Sequence, residues 1–215
     1  MLTQDEIGND ANEFDKELEK LRNIPGSDVD SFHDWLKKSD FYTAPATTQY
    51  HASYDGGLVE HELNVLDIMR KLASEYAPGK YSDESITVVA LCHDLYKVGF
   101  YEPISSNRKH YYDGGSKKDA IGNFDWTSSK SFGVKNVNER FAVGDNGFCS
   151  CLIASRYFPL TDEEMTAIQS ISLNDSGYIR SLSEAMDRYT LAVLLKAADM
   201  MASFVVDGKP ETADA

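Results

Sequence analysis

The sequence lacks both an apolar run long enough to cross a bilayer and a recognisable leader. A membrane-spanning helix needs roughly 18 to 20 consecutive apolar residues, and none of the 215 positions begins such a run. The first twenty residues also lack the basic stretch followed by an apolar stretch that is typical of a secretory signal. These absences predict a cytoplasmic protein that does not use a membrane.

Cysteine is scarce, with Cys92, Cys149 and Cys151 as the three residues of this type. An odd and small number excludes a disulfide framework, and no CxxC pair indicates structural zinc. Free cysteine is among the most buried residue types. The three side chains are therefore predicted to be core thiols.

Positive charge is also in short supply. The chain has 21 Lys and Arg residues against 35 Asp and Glu residues, which gives a net charge of −14. Such a balance opposes binding to long nucleic acid, because no general basic surface is available to displace counterions. A small phosphorylated ligand is not excluded, since a local group of cations and a metal ion can hold it.

The length and the 42% apolar content are sufficient for one domain with a substantial core. We predict an N-terminal amphipathic helix and linker over 1–28, the main domain over 29–206 and a flexible acidic tail over 207–215. Apolar residues recur every three to four positions in most of the chain, which indicates helices. The predicted helices are 4–22, 31–38, 58–76, 83–98, 146–158, 161–173 and 182–206, the last with a break at Tyr189 and Thr190.

One segment departs from helical spacing. Aromatic and polar residues alternate over 100–135 around Asp113-Gly114-Gly115, a pattern typical of a long hairpin or an irregular flap. Arg108 and His110 belong to this flap, and surface placement is favoured over closure onto a ligand. The sequence as a whole predicts an all-α protein with a short β-hairpin or irregular flap insertion.

Ionisable residues interrupt three of the apolar helices. His93-Asp94 lies in the apolar run SITVVALCHDLYKVG, His61 in GGLVEHELNVLDIMRKL and Asp199 in LAVLLKAADMMAS. A buried charge is costly unless it coordinates or pairs with something. A second dipeptide, His33-Asp34, lies in a polar segment and is interpreted as unrelated. Each candidate alone fits a satisfied core residue, whereas the four together favour a metal site.

Two imidazoles and two carboxylates suit one divalent ion of manganese, iron, cobalt, nickel or zinc better than magnesium. Four protein ligands on an octahedral ion leave positions for water and a substrate oxygen. Hydrolysis of a phosphate ester is the natural reaction for such a site, begun by Asp94 or by water activated on the metal.

Two further cations are candidates for holding the phosphate. Lys97 follows Asp94 by three residues, so its amine can reach a ligand at the metal; the alternative is a cation favoured by the helix dipole. His51 lies in the loop before the His61 helix and could contact phosphate or shuttle a proton, or could simply bond to the backbone. The predicted catalytic residues are Asp94 and Lys97, and the predicted substrate-binding residues are His51 and Lys97.

The order histidine, His-Asp, distant aspartate resembles the HD-domain metal-dependent phosphohydrolases, with His61, His93-Asp94 and Asp199 at the matching positions. DFYTAPATTQYHASYDGGLVEHELNVLD and ALCHDLYKVGFYE are similar to motifs of a subgroup common in phages and prophages, and PLTDEEMTAI resembles a later helix of that subgroup. The resemblance covers about 30–206. It implies an HD-domain helical bundle and a hydrolase that acts on a nucleotide or another small phosphorylated metabolite.

The chain departs from that subgroup at two stretches where its members carry histidines. Here they read GDNGFCSC and AIQSISLND, in which Asp145 or Asp175 is the available substitute ligand. The departure leaves a second hypothesis open: a catalytically degenerate HD-fold protein that binds a nucleotide or a protein partner. A purely structural interaction module is the third, supported by the acidic N-terminal helix, and a homo-oligomer is compatible with all three.

Overall fold

The computed structural model of the chain describes residues 2–172 and 179–208. Within these ranges the backbone forms eight α-helices and three β-strands. The helices are α1 (Gln4–Lys20), α2 (Val29–Lys38), α3 (Gly57–Tyr76), α4 (Asp83–Cys92), α5 (Asn146–Ala154), α6 (Asp162–Ser170), α7 (Ile179–Arg188) and α8 (Thr190–Met201). The strands are β1 (Tyr101–Tyr111), β2 (Lys117–Lys118) and β3 (Asn123–Val134).

Helix α3 lies at the centre of the helical body, where it contacts α1, α4 and α8. Leu58, Val65 and Met69 are fully buried on it, and their spacing places them on one face. Burial of an apolar side chain of this size contributes roughly 1.5–3 kcal/mol. The core therefore surrounds the helix that carries His61.

Polar side chains cap α1, α2, α4, α5 and α6, and two of these caps are capping boxes. Thr161 and Glu164 form the box that begins α6, as the sequence pattern indicates, and Thr3 with Glu6 forms another at α1. Helix α2 begins earlier than predicted because Asp28, rather than Ser31, is its N-cap. The Asp28 carboxylate accepts the backbone N–H of Ser31 at 3.1 Å.

Helix α4 ends sooner than its apolar pattern predicts. His93 is its C-cap, and a 3₁₀ turn over Leu95–Lys97 replaces the expected continuation of the α-helix. Gly99 then takes a φ of +66°, which ends the segment. The tighter turn changes the direction of the chain immediately after the His93-Asp94 pair, so the two side chains project from a helix end.

The predicted fold class is wrong. The insertion is a three-stranded antiparallel sheet of order β1-β3-β2, in which two long strands pair from Tyr101 with Val134 to Tyr111 with Phe124. This sheet of β1, β2 and β3, called the ribbon below, is larger than the short hairpin or irregular flap that was predicted as an insertion in an all-α HD-domain bundle. The alternation of aromatic and polar residues was a strand signal over the full length of both strands. The core remains mostly helical.

Cross-strand and cation–aromatic contacts stabilise the ribbon. The amine of Lys109 lies 4.4 Å from the centre of the Phe124 ring, and Trp126 packs edge-on against the same ring. Gly115 passes so close to Phe124 that an added Cβ would lie 2.4 Å from its backbone nitrogen. Arg108 and His110 are exposed on β1.

The C-terminal helices bend where the sequence predicted a break. Helix α7 ends at Arg188, Tyr189 is extended, and α8 continues into a π-helical turn over Ala202–Val206. In the described part of the chain no single helix is long and apolar enough to cross a membrane. The two helical stretches 180–188 and 190–206 meet the criteria of length and composition only when they are taken together, and a bend of 116° separates them.

The predicted tail starts too early. Asp207, its first residue, is buried, and Gly208 accepts a hydrogen bond from the backbone N–H of Ala52 at 2.6 Å. Both residues therefore belong to the folded body. Residues 209–215 lie outside the described part of the chain.

Candidate metal centre

His61 occupies a core position on the first turns of α3. Its side chain is fully buried, because it shares the stripe of Leu58 and Val65. The start of this helix is tightly held: Gly56 takes a φ of +82°, and a Cβ on Gly57 would lie 2.1 Å from the carbonyl oxygen of Ala52. The loop that carries His51 can therefore fold directly onto the turn that precedes His61.

His93 and Asp94 reach the same place from the end of α4, and Asp199 reaches it from α8. Nε2 of His61 lies 3.3 Å from Oδ1 of Asp199 and 3.5 Å from Oδ2 of Asp94. Nε2 of His93 lies 3.5 Å from the same Asp94 oxygen. The two imidazole rings are 5.3 Å apart between centroids. The structure thus brings together the four residues that the sequence predicted as ligands.

The imidazole nitrogens that face this cluster have no hydrogen-bond partner. Nε2 of His61 and Nε2 of His93 are both buried and unpartnered, although such atoms are ordinarily paired. The opposite nitrogen of each ring is engaged: Nδ1 of His93 bonds to the carbonyl oxygen of Ala90 at 2.7 Å, and Nδ1 of His61 bonds to Asp207. Rings held at Nδ1 with Nε2 free are typical of metal-ligating histidines.

Glu62 adds a further buried carboxylate that the sequence interpretation did not identify. It is fully buried next to His61 on α3, and its Oε2 lies 2.9 Å from Nδ1 of His93 without hydrogen-bond geometry. Burial raises the pKa of Glu62. The sequence signal for it was weak, because a glutamate beside a buried histidine is ordinarily assigned to the solvent face.

Carboxylates outnumber ammonium groups at the cluster. The carboxylates of Glu62, Asp94, Asp199 and Asp207 lie around the imidazoles of His61 and His93, and the ammonium of Lys97 contacts Asp94. Burial alone would lower the pKa of His93, yet Glu62 and Asp94 raise it to about 10. Burial disfavours ionised Asp199, but the neighbouring imidazoles and Lys97 hold its pKa well below the ordinary value. Protons or a metal cation can balance this excess of negative charge.

Lys97 is buried and its amine lies 2.5 Å from Oδ2 of Asp94. Burial would lower the pKa of Lys97, but the Asp94 carboxylate raises it well above its ordinary value. The same pair holds the pKa of Asp94 down against the effect of burial. The predicted proximity of Lys97 to the site is therefore observed, because its amine contacts the expected ligand Asp94.

His51 lies beside the cluster and contacts Asp207 rather than the backbone. Its Nδ1 is 2.6 Å from Oδ2 of Asp207, and its ring centroid is 5.0 Å from that of His61. Asp207 was assigned to the tail by sequence. Helical periodicity gives no signal for it, because the π-helical turn before it takes the chain out of the α-helical register.

Three groups of side chains in the described residues have ligand atoms within 4.8 Å of one another and could hold a metal ion. They are His61, His93 and Asp199; Glu62, His93 and Asp94; and His51, His61 and Asp207. The first two groups share His93 and together contain the predicted ligand set. The third uses the Nδ1 atoms that already bond to Asp207.

The other sequence candidates lie elsewhere. His33 and Asp34 are on α2, where His33 faces Asp15 and Asp34 is exposed. Asp145 caps α5 through the backbone N–H of Phe148 and accepts from Ser172, so its carboxylate is engaged away from the cluster. Asp175 lies outside the described residues.

A cavity of about 360 Å³ opens between the base of the ribbon and the helical body. Tyr101, Lys130 and Phe132 line it from the ribbon, and Asp40 and Asp55 line it from the loops. Tyr101 bonds through its hydroxyl to the carbonyl oxygen of Ala46 at 3.4 Å. Asp40 accepts the backbone N–H of Gly99, two residues after Lys97. The cavity therefore adjoins the segment that carries Lys97.

No family model, no curated protein and no solved structure matches this chain.

Proposed function

We propose that the chain is a metal-dependent phosphohydrolase that acts on a nucleotide or another small phosphorylated metabolite. The observation that supports this most directly is the pair of buried, unpartnered Nε2 atoms of His61 and His93, which face the carboxylates of Asp94 and Asp199. Two buried nitrogens without partners are costly in a folded protein. A cation between them and the two carboxylates would remove that cost.

The donor set suits one divalent ion of manganese, iron, cobalt, nickel or zinc. Imidazole nitrogen and carboxylate oxygen together favour such borderline metals over magnesium. His61, His93, Asp94 and Asp199 would hold the ion, and the surplus of carboxylates around them favours a positively charged occupant. When bound, such an ion lowers the pKa of coordinated water and offsets charge on a phosphoryl group.

Lys97 and His51 supply the groups that would contact the phosphate. The ammonium of Lys97 donates to Asp94 and has two further protons with which to bind a phosphoryl oxygen. His51 is held at Nδ1, which leaves its Nε2 as the nitrogen available to a ligand. Asp94 is fixed by Lys97 beside both imidazoles, so its orientation at the reacting centre is set by the protein.

The order of the candidate ligands along the chain gives independent support. A histidine, a His-Asp pair and a distant aspartate resemble the signature of the HD-domain phosphohydrolases. In this chain the four residues lie on α3, just past the end of α4 and on α8, which share one core. If the resemblance in sequence order were a coincidence, there would be no reason for these four side chains to lie close together in the folded chain.

Elemental analysis followed by a phosphate-release screen tests the proposal. The purified protein is screened on nucleoside mono-, di- and triphosphates with each of the five metals added. We expect release with one of these metals, and a loss of more than about a hundredfold in Asp94→Asn, since the loss of one electrostatic contact to the reacting group costs on this order. Asp34→Asn, in the matched dipeptide on α2, should behave as wild type.

The outcomes separate the hypotheses. Release that Asp94→Asn does not reduce would contradict a hydrolytic role for the cluster. Saturable nucleotide binding with no release under any metal would instead favour the degenerate binding protein that the altered stretches GDNGFCSC and AIQSISLND suggest.

A further inference from the structure

We propose that Asp207 is the positioning residue of the metal centre, and that it holds His61 and His51 in the orientation the site requires. The proposal rests on the metal centre described above and deepens it. Asp207 binds no metal and contacts no reacting group in this assignment. It acts through the two imidazoles that it touches.

The buried carboxylate of Asp207 contacts the imidazole rings of both His61 and His51. Oδ2 of Asp207 lies 2.7 Å from Nδ1 of His61 and 2.6 Å from Nδ1 of His51, while Oδ1 accepts the side-chain amide of Asn64 at 2.9 Å. The side chain of Asp207 is fully buried. Three donors converge on a carboxylate that no water reaches, which is the arrangement that fixes ring orientation most strongly.

The contact determines which nitrogen of His61 is free. A neutral imidazole has one N–H and one lone pair. Because the carboxylate accepts only from an N–H, it selects the form protonated at Nδ1, which leaves the lone pair on Nε2. That nitrogen faces Asp94 and Asp199 and has no hydrogen-bond partner. Asp207 thereby supplies a ring ready to bind a cation.

The backbone on both sides of Asp207 fixes its position. Its own N–H donates to the carbonyl oxygen of Ala202 at 2.8 Å, five residues earlier, which closes the π-helical turn. The next residue, Gly208, accepts the backbone N–H of Ala52. Turns of the π type are rare and often occur at functional sites. Here the turn brings a carboxylate to the back of His61 from the same segment that presents Asp199 to its front.

The same contact ties the His51 loop to the metal centre. His51 and His61 are on separate segments, and their rings meet at the shared oxygen of Asp207. Displacement of the carboxylate would release both rings together. We therefore expect the affinity for metal and the placement of the candidate phosphate-binding histidine to depend on one residue.

Cobalt binding tests the proposal without any assay of activity. Co²⁺ affinity is measured by titration of its visible absorption in wild type, Asp207→Leu and Asp207→Asn. Leucine fills the site without an acceptor, and we expect a loss of about 10- to 100-fold, the range typical of lost ligand-orienting contacts. Asparagine keeps an acceptor oxygen but not the charge, so its loss should be smaller than that of leucine and still measurable.

Nitrogen NMR of the histidine rings provides the second readout. In metal-free protein, above the pH at which the His61 ring loses its second proton, His61 should be protonated at Nδ1 in wild type and in Asp207→Asn. In Asp207→Leu the proton should move to Nε2. A residue with a merely structural role would leave the protonated nitrogen unchanged, and so an unchanged ring in Asp207→Leu overturns the proposal.

Two controls separate this inference from the metal centre itself. The first control is Glu60→Gln. The Glu60 carboxylate also joins α3 to the preceding loop, because it accepts the hydroxyl of Tyr54 at 2.5 Å, but it bonds to no histidine. The Glu60→Gln protein should therefore bind Co²⁺ as wild type does. His61→Ala should lose binding. If His61→Ala binds Co²⁺ normally, the metal centre is refuted. If His61→Ala loses binding while both Asp207 variants keep wild-type affinity, the positioning role of Asp207 is refuted and the metal centre is not. If the leucine variant does not fold, the affinity of the asparagine variant decides.

Discussion

The dipeptide His-Asp occurs twice in this chain, and the two copies have different surroundings. His33 and Asp34 are on α2, where Asp34 is 72% exposed and lies 3.7 Å from the amine of Lys38. His93 and Asp94 are buried at the end of α4, where Lys97 approaches Asp94 to 2.5 Å. Each copy thus has a histidine, an aspartate and a following lysine, but only the second meets another imidazole.

The comparison shows that convergence, rather than any single atom, distinguishes a candidate metal centre. Nε2 of His33 is also buried and outside hydrogen-bond geometry, 3.0 Å from Oδ1 of Asp15. An unpartnered imidazole nitrogen is therefore insufficient by itself. At the second copy two such nitrogens face two carboxylates from three helices, which is the arrangement that a cation can bridge.

The largest expected difference between the two copies is the stabilisation by metal. Co²⁺ at a hundred times its dissociation constant should raise the free energy of unfolding by about 2.7 kcal/mol in wild type and in His33→Ala, because binding favours the folded state. His93→Ala should gain nothing at the same concentration. Urea unfolding with Co²⁺ and with a chelator measures this. Equal stabilisation of both alanine variants would remove the distinction between the copies.

Removal of the lysine beside each aspartate should give a difference of similar size. Lys97→Met leaves Asp94 buried without its ammonium partner, and loss of one member of a buried pair costs about 3 kcal/mol. Lys38→Met removes an exposed partner and should cost less than about 0.5 kcal/mol. Both values come from urea unfolding of the metal-free protein. Similar costs would indicate that Asp94 is better solvated than its burial implies.

Much of the helical body could be predicted from the sequence because its signals are local. The stripe of Leu58, His61 and Val65 placed α3 correctly, and the Thr161 cap placed α6, since both depend on residues three or four positions apart. The four expected ligands could be chosen for a similar reason. A charge on an otherwise apolar face is visible without knowledge of the tertiary structure.

The parts that were missed depend on contacts between distant segments or on a change of register. Asp207 was assigned to a tail, yet its partners His51 and His61 are about 150 residues away in sequence. The strands were underestimated in the predicted fold class, because the alternation over 100–135 was interpreted as a long hairpin or an irregular flap and entered the fold class only as a short β-hairpin or irregular flap insertion. Local sequence patterns do not predict the length over which two strands pair. The pairing of Tyr101 with Val134 depends on contacts that form only when the chain folds back.

The smallest expected effect is the loss of coupling energy in high salt. It tests whether burial distinguishes the two aspartate–lysine pairs. Asp34 and Lys38 are one helical turn apart and exposed, so a double-mutant cycle with Asp34→Ala and Lys38→Ala should give a coupling of about 0.3–0.5 kcal/mol. In 1 M NaCl, where the screening length is about 3 Å, this coupling should vanish. A cycle on Asp94 and Lys97 should keep most of its coupling in the same salt, because neither side chain is open to ions. If both couplings fell equally, ions would have access to the amine of Lys97, and the enclosure of the candidate metal centre would have to be abandoned.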